Sequence, residues 1–255
     1  MKKISVLFIL VSLSISSIAQ TDNWYFSFSM GGAWPTSTFG QTNSTDKSSG
    51  YAQKGFSILL DATYPFSDHW GLKGLALINT NTIDNNAMEK MLINRIPSAI
   101  SSPQANKFSF ASNPWMRNAF VFGPVYTLDL GRIYLDLQIL GGMNLTYLPQ
   151  QKLLYNPFKD DLTNPQRWYY TDNNTTSTNV SFGILGGTAL RFPISERLNL
   201  KLGVDYFLSS ARVKYQQTRI SQQAESVLTE VLGSGNNLIP IRMFSGTIGF
   251  VYYLN

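Results

Sequence analysis

The sequence predicts an all-β fold: an eight-stranded, antiparallel, up-and-down transmembrane β-barrel. Three observations carry that expectation. Segments alternating between apolar and polar residues recur along the chain, as strands with two different faces require. Three short turns, centred near Pro65, Asp129 and Pro193, stand 64 residues apart, and two of them are near copies: Tyr64-Pro65-Phe66-Ser67-Asp68 and Phe192-Pro193-Ile194-Ser195-Glu196. The connections are also lopsided, with about five residues at each short turn against roughly 19 to 35 in the stretches between. Short turns at one end and long loops at the other is the layout of a barrel set in an outer membrane.

The chain begins with a secretion signal. Lys2 and Lys3 form a basic start, Ile4 to Ile15 an apolar stretch, and Ser17-Ile18-Ala19 a small-residue cleavage site. Residues 1–19 are therefore read as a signal peptide and 20–255 as one barrel domain. The apolar stretch falls short of the ~20 residues a membrane-spanning helix needs. Without Lys2 and Lys3 the formal charge falls from +5 to +3, far from the footprint of a nucleic-acid binder. There is no cysteine, which excludes disulfides and thiol catalysis.

Strands are expected near 24–34, 54–64, 70–79, 115–128, 133–147, 178–192, 198–211 and 241–254. Most reach the ~9–11 residues that a tilted strand needs to cross a bilayer. In the second, Phe56, Ile58, Leu60, Ala62 and Tyr64 form an apolar stripe. In the fifth, Leu135, Leu137, Ile139, Met143 and Leu145 share one face, and Tyr134, Asp136, Gln138, Asn144 and Thr146 the other. The seventh sets Leu200, Leu202, Val204 and Leu208 against Asn199, Lys201, Asp205 and Ser209. In the last, Phe244, Ile248, Phe250, Tyr252 and Leu254 suit a lipid-facing strand that closes the sheet against the first. Closure is needed because lipid cannot satisfy an open edge.

Aromatic residues gather at both ends of these segments. Trp24, Tyr64, Phe66, Trp70, Tyr126, Phe192, Tyr252 and Tyr253 fall near the short turns, and Trp34, Trp115 and Tyr147 near the long loops. Paired girdles of this kind suit two membrane interfaces. A secreted sandwich would share the alternation but not the girdles. Gly31-Gly32, Gly141-Gly142 and Gly186-Gly187 lie within strands, where bends or close backbone approach account for them.

Strand charges should avoid lipid, because a Lys or Arg on the lipid face costs about 2–4 kcal/mol at the midplane. Asp61, Lys73, Arg117, Asp136, Arg191, Lys201 and Asp205 all carry the inward parity and are expected to form a lumenal polar network. Arg242 is the exception, placed where it can snorkel to the interface. If Tyr64 opposes Trp70, the register sets Asp61 opposite Lys73 as a salt bridge. Eight strands enclose an interior just wide enough for side chains to fill. Packing is therefore favoured over an ion path, and a diffusion pore is not expected.

The chain resembles the small OmpA-type outer-membrane β-barrel superfamily. The resemblance rests on the signal with Ala19-Gln20, on Phe122-Gly123-Pro124-Val125-Tyr126, on Gly183 through Phe192, and on Ile248-Gly249-Phe250-Val251-Tyr252-Tyr253. It covers most residues outside the loops and implies an integral outer-membrane protein with its short turns in the periplasm. Members commonly end in an aromatic residue, whereas this chain ends Leu254-Asn255.

Catalytic and metal-binding candidates are few. The only histidine, His69, falls on a short turn, away from the outer leaflet where barrel-type lipid enzymes act, so no enzyme is expected. One histidine and no cysteine give zinc or copper no usual ligand set. Asp160-Asp161 and Asp172-Asn173-Asn174 lack calcium-loop spacing. No cofactor is expected.

The long loops carry the remaining information. Ala87, Met88, Met91 and Leu92 have helical spacing. So do Ala224, Val227, Leu228, Val231 and Leu232, with Gly233 as a stop; two short helices near 86–93 and 221–233 are expected. Tyr155, Phe158, Trp168, Tyr169 and Tyr170 suit loop packing or contact with a surface glycan or another envelope protein. Arg212, Lys214 and Arg219 suit either a solvated face or lipopolysaccharide phosphates. The leading expectation is a structural, surface-interaction or complex-accessory role carried by these loops, with outer-membrane lipid and lipopolysaccharide as surroundings. A narrow channel or transporter is the alternative, followed by an outer-leaflet lipid-modifying enzyme.

Overall fold

A computed structural model describes residues 24–95, 108–155, 167–174, 178–223 and 226–254. The expected signal peptide, residues 1–19, lies outside them. Eleven strands run in chain order as β1 (Tyr25–Pro35), β2 (Ala52–Pro65), β3 (Trp70–Ile83), β4 (Phe108–Ser112), β5 (Trp115–Asp129) and β6 (Tyr134–Tyr147). They continue as β7 (Gln151–Tyr155), β8 (Arg167–Asn174), β9 (Thr178–Pro193), β10 (Leu198–Gln223) and β11 (Ser226–Tyr253). Among the described residues one α-helix, α1, spans Asn85–Arg95, and a short 3-10 turn spans Ser37–Gly40.

Eight of the strands close on themselves. β1, β2, β3, β5, β6, β9, β10 and β11 pair antiparallel in that order, and β11 returns to β1 with Tyr25 opposite Tyr253 and Phe28 opposite Phe250. Closure removes both edges of the sheet. The eight barrel strands begin or end within a few residues of the eight expected segments, because period-2 alternation is a local property that survives folding.

The short turns repeat in detail. Phe66 and Ser67 donate backbone N–H bonds to the Trp70 carbonyl at 3.0 and 3.1 Å, and Ile194 and Ser195 do the same to Leu198 at 2.8 and 3.0 Å. At the middle turn the Asp129 carboxylate accepts the Gly131 N–H at 2.7 Å, and Gly131 takes a φ of +85°, which favours glycine. Trp24 and Leu254 meet at this same end, with Leu254 N–H donating to the Trp24 carbonyl at 2.9 Å.

The first turn also corrects the expected register. Pro65 pairs with Gly71, so Tyr64 faces Leu72 rather than Trp70, and Asp61 faces Leu75 rather than Lys73. The shift is two residues, an even number, so every side chain keeps its face.

The wall continues beyond the barrel at the opposite end. β10 and β11 stay paired out to Gln223 and Ser226, with one irregularity between Gln217 and Thr218. β8 pairs with the outer part of β10, β7 with β8, and β4 with β7. This overturns the helix expected near 221–233. The strand partner offered by β10 outweighs a local helical spacing, and Gly233 sits beside the ladder irregularity instead of ending a helix. The expected helix near 86–93 does form as α1, with the Asp84 carboxylate capping it by accepting the Ala87 N–H at 3.0 Å.

Candidate functional site

The interior is built from inward-pointing strand residues and is filled in layers. Nearest the short turns, Arg191 Nη2 lies 2.8 Å from Asp136 Oδ1, and the Thr127 hydroxyl donates to the same oxygen at 2.7 Å. The Tyr25 and Tyr134 rings flank the guanidinium at 4.7 and 5.1 Å, and Arg191 also donates to the Tyr253 hydroxyl. The next layer centres on Asp61. Lys201 Nζ donates to its Oδ2 at 2.6 Å and to Ser27 Oγ at 2.8 Å, and Ser27 donates to the same carboxylate. Lys73 Nζ stands 3.9 Å from Asp61 Oδ1, an ion contact too long for a hydrogen bond. Lys73 instead donates to Gln138 Oε1 at 2.8 Å, and Gln138 passes a bond to Asp205 Oδ1 at 2.6 Å. The contact between Asp61 and Lys73 is diagonal rather than the directly opposed pair expected.

Above these polar layers the lumen turns apolar. Leu59, Leu75, Leu77, Leu140, Leu185 and Phe207 are buried together, with Ala119 and Val121. Arg117 follows, alone in kind. It donates to Asn79 Oδ1 at 2.9 Å and lies 4.2 Å from the centre of the Phe207 ring. Among the described residues it makes no salt bridge, and its Nε and Nη1 have no hydrogen-bond partner. All seven residues of the expected network are buried, none more than 4 % exposed. The structure brings Asp61, Lys73, Lys201 and Asp205 into one layer, two hydrogen-bonded halves joined by the Lys73–Asp61 ion contact. Asp136 and Arg191 form a separate pair, and Arg117 stands apart. Two acids and two bases balance in the middle layer and one of each beneath it, so among these seven described residues Arg117 is the uncompensated charge.

The outer mouth is capped by an apolar cluster that sequence reasoning did not assemble. Phe39, Tyr51, Met88, Met91, Trp115 and Ile239 are buried in it, with Leu148, Ala211 and Ile241. Trp115 is 5 % exposed and donates its indole N–H to the Gly50 carbonyl at 3.0 Å, so it is a plug residue and not part of the outer girdle. Phe39 meets it edge-on at 5.4 Å. Tyr253 likewise turns inward to Arg191 instead of joining the inner girdle. The spacing of Met88 and Met91 was the one local signal of this cap. In the first outer loop, the Ser48 hydroxyl and backbone N–H bind the Asp46 carboxylate and hold its pKa below the usual carboxylate range.

The outward face of the barrel carries an apolar belt. Phe28, Leu60, Phe120, Ile139, Phe182 and Phe250 are exposed, Ile139 by 68 %. Trp24 stacks near Tyr64, and Trp70 near Tyr126, at the short-turn rim. Arg242 points outward near the long-loop end, next to the Thr36–Arg242 backbone bond.

The remaining sequence candidates are dispersed. His69 is exposed on the first short turn, 3.2 Å from the Thr127 carbonyl. Tyr155 lies in β7 and Trp168, Tyr169 and Tyr170 in β8, while Phe158 falls outside the described residues. Arg212, Lys214 and Arg219 fall on β10. Ala224 and Asp160-Asp161 lie outside the described residues. Among the described residues no group of three or more histidine, cysteine or acidic side chains could hold a metal ion.

A closed eight-stranded ring, an exposed apolar belt between aromatic rims, and seven buried strand charges, with Arg242 turned outward only near the long-loop end, define an integral β-barrel of the outer membrane. That is the architecture implied by the OmpA-type resemblance. No protein-family model matches the chain. No curated protein matches it either. Solved structures similar to it include Ail, the attachment invasion locus protein of Yersinia pestis, at 10% identity and a TM-score of 0.38, covering 91% of this chain and 100% of that one. A major outer membrane protein from Thermus thermophilus has 12% identity and a TM-score of 0.42, with 90% and 98% covered. OprG from Pseudomonas aeruginosa has 13% identity and a TM-score of 0.39, with 92% and 97% covered. The fold assignment rests on the ring of strands itself.

Proposed function

We propose that the protein is a non-enzymatic anchor that holds a surface-interaction platform outside the membrane, and that it is not a channel. The observation carrying this reading is the contrast between its two halves. The lumen is filled by polar layers, an apolar layer and an apolar cap. Beyond the cap, β10 and β11 continue outward and gather β8, β7 and β4 into an added sheet. A transport role needs a continuous polar path, and the layer from Leu59 to Phe207 interrupts one. A contact role needs an ordered surface held clear of the bilayer, which the extended hairpin supplies. The partner class is another envelope protein or a surface glycan reached through these outer elements, with lipopolysaccharide beside them.

The test replaces residues 213–237 with a tight turn, leaving every barrel pairing from Tyr25 to Tyr253 in place. The trimmed protein should still run as a heat-modifiable folded band. It should lose a stoichiometric partner that the full chain retains in a mild-detergent pull-down read by mass spectrometry. Equal recovery by both proteins, or stepwise conductance of the full chain in a planar bilayer, would overturn the reading.

A further inference from the structure

We propose that the lipid-facing wall holds a seat for one acyl chain of a phospholipid from the periplasmic-side leaflet. The seat is a concavity of about 840 Å³ on the outside of β1, β2, β3 and β5. Its form follows from the register. In one cross-strand row Phe26 faces Ala62, Ala62 faces Gly74, and Gly74 faces Phe122. In the next row Phe28 faces Leu60, Leu60 faces Ala76, and Ala76 faces Phe120. The first row thus drops from an aromatic wall to a floor of small residues, Ala62 and Gly74, and rises to a second aromatic wall; in the next row Ala76 continues the floor beside the exposed Leu60.

The four phenylalanines are between 40% and 67% exposed, so the walls stand proud of the barrel. At Gly74 the floor is open: an added Cβ would meet no protein atom within 4 Å. On the same face the next cross-strand pairs are Ile58 with Ile78 above and Tyr64 with Leu72 below.

Three considerations select the occupant. The seat is continuous with the apolar belt, so its mouth opens onto hydrocarbon. Its outward side chains offer no charge and no hydrogen-bond donor except the Tyr252 hydroxyl at one margin. Its lower row lies two residues, ~7 Å along the strand, from the rim marked by Tyr64 and Trp24. That depth belongs to the acyl region of the leaflet on the short-turn side, where an outer membrane carries phospholipid rather than lipopolysaccharide. An unfilled concavity there would leave the wall and floor atoms without contacts on one side. A flexible acyl chain fits without requiring a shaped partner. The proposal rests on the barrel's membrane setting and is independent of what the outer elements bind.

The experiment reconstitutes the protein into vesicles of phosphatidylethanolamine, phosphatidylglycerol and lipopolysaccharide. It then extracts the protein into mild detergent and reads retained lipid by native mass spectrometry. Gly74→Leu fills the floor at a position where the added Cβ meets no protein atom within 4 Å. Gly186→Leu places the same side chain at another site free of protein atoms within 4 Å, on β9 away from the seat. The wild type and Gly186→Leu should each retain a phospholipid, and Gly74→Leu about tenfold less, the equivalent of about two methylenes losing their seat. If Gly74→Leu does not give a folded band, Ala76→Leu replaces it with the same expectation. Equal retention by wild type and the filled variant, equal loss in Gly186→Leu, or retention of lipopolysaccharide instead would each overturn the proposal. Failure to insert into the vesicles would overturn the membrane setting itself, a separate result.

Discussion

Asp61 is the residue whose loss the lumen should feel most. Its carboxylate is buried, accepts Lys201 at 2.6 Å and the Ser27 hydroxyl, and has Lys73 at 3.9 Å. Asp61→Asn preserves volume but removes the charge and turns an amide toward two ammonium groups. Breaking one side of a buried pair costs about 3–5 kcal/mol, because the remaining charge has neither water nor partner. Lys201→Met leaves Asp61 with Lys73 and Ser27, so its cost belongs near ~3 kcal/mol, the low end of that range. The double variant leaves one base and one acid, Lys73 and Asp205, linked through Gln138. It should be no less stable than Asp61→Asn alone, which makes the coupling about 3 kcal/mol. Urea titration of the barrel in lipid vesicles, followed by tryptophan fluorescence with gel mobility as a second probe, measures all four proteins. Additive losses, or single losses below about 1 kcal/mol, would refute the argument that this layer is an electrostatic unit.

Charge reversal by Lys73→Glu would leave three carboxylates with one lysine in the same layer, and should lower the temperature at which the folded band disappears on a gel. Arg117→Met should be neutral or stabilising by up to about 4 kcal/mol in the same urea titration, since a flexible apolar side chain replaces a buried cation that lacks a carboxylate. Gly142→Val should block folding into vesicles, because even a Cβ there would lie 2.1 Å from the Phe120 carbonyl oxygen. Trp115→Phe should loosen the outer cap by about 1 kcal/mol through its bond to Gly50, read as faster hydrogen exchange in α1 with the barrel strands unchanged.

What could be read from the sequence was whatever depends on neighbouring residues alone. Alternation in β6 and β10 told wall from lumen, and with it the burial of Asp136, Lys201 and Asp205. The near-identical turns at Pro65 and Pro193 share one hydrogen-bond scheme because the same few residues build both. The spacing of Ala87, Met88, Met91 and Leu92 was enough to find α1, since a helix's buried stripe recurs within a few turns; the Asp84 cap appears only in the structure.

The misreadings all involve partners distant in the chain. Asp61 and Lys73 lie on the same face under either register, so parity could not reveal the two-residue shift; the turn hydrogen bonds to Trp70 set it. The expected helix near 221–233 gives way to the outer ends of β10 and β11, where residues 226–233 find in β10 a backbone partner that a local spacing cannot reveal. Trp115 has the composition of a girdle residue, yet Phe39 and the Gly50 carbonyl, on another loop, draw it inward. Arg117 shares its inward parity with Lys73, Arg191 and Lys201, one more base than the three acids; which base is left over depends on where each side chain reaches across the lumen. The sequence by itself determined the eight barrel strands, their faces and the two ends of the barrel, because period-2 patterning and turn chemistry are local. The tertiary structure alone decided the register, the sealed mouth, the sheet beyond the membrane and the concavity outside β2 and β3. Each of those is a meeting of side chains or backbones that only the closed ring brings within reach.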